Sequence, residues 1–101
     1  MRVQLLTHAG CPSALTTREL LVRLLAVAGV DAAVEEIDTT SEGAPRHLRG
    51  WGSPTILIDG VDAGGEPSPS GTCCRLYRDA NGRLGGAPSE ALVAAALRAH
   101  G

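Results

Sequence analysis

Val3-Gln4-Leu5-Leu6-Thr7-His8-Ala9-Gly10-Cys11-Pro12 joins an apolar strand to the start of a helix, and the rest of the fold is read outward from it. Val3 to Leu6 reads as a buried strand, Thr7 to Gly10 as a short loop, and Cys11-Pro12 as the opening of a helix. Pro12 suits the first helical position, because its missing N–H would have no partner there. Leu21, Leu24, Leu25 and Ala28 then recur at helical spacing, with Leu20 and Val27 beside them and Arg18, Glu19 and Arg23 toward solvent. Gly29 fits the left-handed residue that ends a helix. Val30 to Asp38 reads as a second strand, so the N-terminal part is a β-α-β unit with parallel strands and a right-handed crossover.

Thr39, Thr40 and Ser41 offer caps for a short helix through Glu42 to Arg49, against Pro45 and two flanking glycines. Ser53 to Asp59 reads as a strand centred on Thr55-Ile56-Leu57-Ile58, and Asp59-Gly60 turns the chain. Residues 61–71 read as a long loop rich in turn formers. Cys73 to Arg78 reads as a further strand, followed by the hairpin signal Asn81-Gly82. Pro88-Ser89-Glu90 starts a last helix with Leu92, Val93, Ala96 and Leu97 on its apolar face. The expected architecture is a single α/β domain over 1–101 in the order β-α-β-α-β-β-α. Its four-stranded mixed sheet has the two later strands as an antiparallel hairpin and helices on both faces.

The 101 residues suffice for one domain and are too few for two. Hydrophobic residues make up 44%, but one Trp and one Tyr are the only aromatics, so the core is built from Leu, Val, Ile and Ala. The net charge of -2, with no basic patch and almost no stacking platform, argues against nucleic-acid binding. All nine basic residues are Arg. Leu20 to Val30 is too short and too interrupted by Arg23 to span a bilayer, and no leader pattern stands at the start. A cytoplasmic location without membrane attachment is the expectation. Three cysteines there point to thiol chemistry or plain burial, not to a disulfide framework.

Two segments resemble the thioredoxin and glutaredoxin superfamily: Thr7-His8-Ala9-Gly10-Cys11-Pro12-Ser13-Ala14, and Gly52-Ser53-Pro54-Thr55-Ile56-Leu57-Ile58-Asp59-Gly60. The resemblance implies a thioredoxin-like fold, a cis bond between Ser53 and Pro54, and packing of Pro54 beside Cys11. It also implies a Pro54 backbone that aligns a substrate as an added strand. The family's C-x-x-C motif is incomplete, since Ala14 stands where the second Cys would be, which leaves a monothiol mechanism, a distant partner thiol, or a domain that has lost redox activity. Cys73-Cys74-Arg75-Leu76-Tyr77 more weakly resembles the vicinal thiols of alkylmercury lyases, a label also carried by small thioredoxin-fold proteins similar to this one.

Cys11 is the first candidate for chemistry, because amides and the dipole at a helix N-terminus favour the thiolate, the nucleophilic form. Pro12, Ser13, Trp51, Ser53 and Pro54 are candidates for substrate contacts, with the Ser13 hydroxyl as a donor to sulfur or an ordinary polar residue of the first turn, and Trp51 as a flat surface or equally a core plug. His8 reads as a water-facing loop histidine, or as a donor to the thiolate. Arg46 and Arg49 read as a solvated face, or as anchors for a carboxylate of glutathione. Cys73 and Cys74 are candidate partner thiols, Cys74 on the face of Leu76 and Cys73 on that of Arg75 and Tyr77. In the expected fold the start of their strand lies far from Cys11.

Adjacent cysteines are poor chelators, so no metal ligand set and no resident cofactor is expected; glutathione or another low-molecular-weight thiol would be a co-substrate. Three functions stay open at this point. The first is thiol-disulfide exchange through Cys11 on a small or protein disulfide. The second is capture of mercury or a soft metal by the thiols, and the third is a binding module without turnover.

Overall fold

The computed structural model describes residues 1–69, 75–78 and 81–100. Strand β1 spans Val3–Thr7, helix α1 Ala14–Val27, β2 Val34–Asp38, a 3-10 turn Arg46–Leu48, β3 Thr55–Ile58 and β4 Val61–Asp62. A second ribbon is formed by β5, Tyr77–Arg78, and β6, Leu84–Gly85, before helix α2, Glu90–His100. The main sheet has the order β2-β1-β3-β4. β1 runs parallel to β2, with Val3 opposite Val34, and antiparallel to β3, with Val3 opposite Ile58. The α/β class and the four-stranded mixed sheet are therefore as expected.

Local chemistry explains most of these elements. α1 ends where Gly29, at φ 69°, lets Val30 N–H reach Leu25 O at 3.0 Å while its own N–H reaches Ala26 O at 3.1 Å, the Schellman arrangement. α2 begins where Ser89 Oγ accepts the N–H of Leu92 at 3.1 Å. Alternation along the strands builds two apolar layers. Val3, Leu5, Ile56 and Ile58 face Leu21, Leu24 and Leu25 of α1 and Val93 and Leu97 of α2. Leu6 and Leu57 face the other way, onto Leu48 and Trp51.

Three expectations need correction. The fourth strand of the sheet is Val61–Asp62, not the segment ending at Arg78. Asp59 and Gly60 have φ of 51° and 83°, the two left-handed residues of a two-residue hairpin, so Val61 pairs with Ile58 at once. Tyr77–Arg78 instead pairs with β6 around the Asn81-Gly82 turn. Secondly, the helix expected over Glu42 to Arg49 shrinks to a 3-10 turn, with Leu48 N–H on Pro45 O and Arg49 N–H on Arg46 O. Pro45 lacks the N–H that a longer helix would need. Thirdly, both α-helices pack on one face of the sheet, while the 3-10 turn and Trp51 cover the other. Among the described residues no helix is long and apolar enough to cross a membrane.

Candidate functional site

Cys11 lies in the turn between β1 and α1, half-buried, with a free thiol. Its N–H bonds to His8 O at 3.1 Å, and its carbonyl accepts the N–H of Ala14 at 3.4 Å. Pro12 is not the first helical residue. Helix α1 begins at Ala14 with Ser13 at the cap position, and Ser13 makes no side-chain capping bond. The thiol therefore precedes the helix by a full tight turn. The dipole acts chiefly within the terminal turn, so it reaches this sulfur less directly than the sequence pattern suggested.

A cavity of about 530 Å³ opens at this turn and gathers Cys11, Pro12, Ser13, Trp51 and Ser53 on its wall. Five candidate residues from two separate stretches thus converge. Pro54 is fully buried, and the Ser53-Pro54 bond is cis. Ser53 is only 5% exposed, and its hydroxyl has no partner among the described residues. His8 is not water-facing: its Nδ1 lies 2.9 Å from Thr39 Oγ1, and its buried Nε2 has no partner among the described residues. Thr39 Oγ1 also lies 3.3 Å from Thr7 O. When its single hydrogen goes to that carbonyl, His8 Nδ1 carries the ring proton and Nε2 is left an acceptor. Asp38, next to the cavity-lining Thr39 but not itself on the wall, is held below the usual carboxylate range by the side-chain and backbone hydrogen bonds of Thr40.

A group that the sequence did not single out closes the far side. Arg75 lines the cavity, and its guanidinium meets Asp62 with two bonds of 2.6 Å, in a pair whose side chains are 13% and 0% exposed. Nη1 also reaches Thr55 Oγ1 at 3.2 Å. The guanidinium carbon sits 4.6 Å from the Tyr77 ring centre and 5.9 Å from that of Trp51. Burial works against the Arg75 charge, but the Asp62 hydrogen bonds and the surrounding charges outweigh it and hold the guanidinium above its ordinary range. Gly64 makes room: a Cβ there would stand 2.6 Å from Arg75 Nη2.

The backbone of this segment is engaged as well. Arg75 N–H donates to Ser53 O at 3.1 Å, and the Tyr77 hydroxyl donates to Pro54 O. The alternation of Arg75 and Tyr77 on one strand face was the single sequence signal for this cluster. Asp62 gave none, because it stood in a presumed loop.

Arg46 and Arg49 do not line the cavity. Arg49 instead ties down the carbonyls of Ser41, Glu42 and Ala44 at 3.2, 2.8 and 3.2 Å. Cys73 and Cys74 lie outside the described residues. Arg75, next in the chain, lines the Cys11 cavity, so the expectation that this stretch starts far from Cys11 does not hold for Arg75. Among the described residues no group of three His, Cys, Asp or Glu side chains could hold a metal ion. Comparison with protein-family models, with curated proteins and with solved structures returns no match to this chain.

Proposed function

We propose that this chain is a thioredoxin-like monothiol protein that exchanges disulfides through Cys11. The observation that carries the proposal is the convergence of a half-buried free thiol with Trp51 and Ser53 on one cavity wall. The strand order β2-β1-β3-β4, with the thiol after β1 and Pro54 just before β3, supports the same reading. A cavity of this size suits a small molecule.

In the proposed cycle the Cys11 thiolate attacks one sulfur of a disulfide. That S–S bond breaks, its other half leaves as a thiolate and takes a proton from solvent, and Cys11 is left in a mixed disulfide. A low-molecular-weight thiol then attacks the substrate-derived sulfur. The new disulfide departs, and the Cys11 thiolate returns. With Ala14 at the place of a second cysteine, the reductant comes from outside the turn.

The test is reduction of a small disulfide by an added thiol, comparing the native chain with Cys11→Ser. The variant is expected to fall to the uncatalysed rate with an unchanged circular dichroism spectrum. Retention of the native rate overturns the proposal.

A further inference from the structure

We infer that the disulfide accepted by this cavity is a small molecule without carboxylates, not an extended polypeptide and not an anionic thiol such as glutathione. The inference rests on the exchange reading above and names its substrate class. Two independent observations carry it.

The first is the state of the backbone beside the thiol. An extended peptide binds by pairing with unoccupied backbone groups of a strand or loop edge. Here Ser53 O already accepts the Arg75 N–H, Pro54 O already accepts the Tyr77 hydroxyl, and Pro54 has no N–H to offer. The chain's own segment 75–77 thus stands where an added strand would lie.

The second is charge. Of the nine arginines only Arg75 lines the cavity, and its forked donor face is turned to Asp62. The residues without description include no arginine. The imidazole on the wall, that of His8, is engaged by Thr39 through Nδ1. A carboxylate entering the cavity would find no uncommitted guanidinium on its wall. What the wall does offer is the hydroxyl of Ser53 and the buried Nε2 of His8, both without a partner among the described residues, and the apolar surfaces of Trp51 and Leu76. These suit a neutral ligand bearing hydroxyl or amide groups.

The experiment uses the reduced full-length chain and three probes: neutral bis(2-hydroxyethyl) disulfide, its dianionic counterpart 3,3′-dithiodipropionate, and native insulin as a polypeptide disulfide. Formation of the Cys11 adduct is followed by mass spectrometry, with peptide mapping to separate Cys11 from Cys73 and Cys74. Free 2-mercaptoethanol supplies the intrinsic reactivity of each probe. Relative to that reference, the neutral probe is expected to be favoured at least about tenfold over the other two. Equal or reversed preference overturns the inference while leaving exchange intact. No Cys11 adduct with any probe overturns the exchange reading itself. Asp62→Asn, which releases the Arg75 charge, is expected to move the preference toward the dianion several-fold. A folded Asp62→Asn with an unmoved preference also overturns the inference, and the native-chain comparison stands whether or not that variant folds.

Discussion

Replacing Asp62 by Ala is expected to cost about 3–5 kcal/mol of stability, the usual penalty for leaving one partner of a buried ion pair alone. The structure sets the magnitude. The Asp62 side chain is fully buried, takes both Arg75 contacts at 2.6 Å, and accepts the Glu66 N–H at 3.0 Å. Without it, the guanidinium keeps, among the described residues, Thr55 Oγ1 at 3.2 Å and the two ring faces. An exposed pair would contribute about 0–1 kcal/mol, so burial decides the outcome. A domain of this length has about 5–15 kcal/mol in total, so the single variant sits near the unfolding threshold. Urea unfolding followed by the fluorescence of Trp51, the one Trp in the chain and a buried one, reads the loss directly. The double variant Asp62→Ala/Arg75→Met removes both charges and is expected to be more stable than Asp62→Ala alone. A single-variant loss below about 1 kcal/mol, or a double variant no better than the single, refutes the argument.

Burial pushes the hydroxyl of Tyr77 up to about 12 from 10.0, against the partial relief that Arg75 provides. Tyr77 is the one Tyr, so ultraviolet titration of the folded chain reports it alone; a midpoint near 10 would contradict the packing described. Because the folded value is raised, the linked stability is full below pH 10 and declines as pH rises toward about 12, by roughly 2–3 kcal/mol. Gly60→Ala is expected to cost about 1–2 kcal/mol by urea unfolding, from left-handed strain alone. Nothing lies within 4 Å of the added Cβ, so an unchanged midpoint would mean that the Asp59-Gly60 hairpin is not held as described.

What was legible in the sequence is what local rules control. The apolar run of β1, the leucine spacing of α1, Gly29 at its end and the Ser89 start of α2 each depend on neighbours within about a turn or two of chain. The two segments around Cys11 and Ser53 named five of the residues that line the cavity. The strand pairing after Asp59-Gly60 was also encoded locally, but the Gly- and Pro-rich residues that follow masked a strand of two residues. Only the tertiary structure could turn Asp62 from a presumed loop residue into the buried partner of Arg75, 13 positions away. Only it could bring the Tyr77 hydroxyl to a carbonyl 23 positions back. Periodicity carries no information about which distant charge or donor a burial will enclose. That choice is made when the hairpin ending at Asp62 and the segment 75–77 meet through the Arg75–Asp62 pair and the Tyr77–Pro54 hydrogen bond.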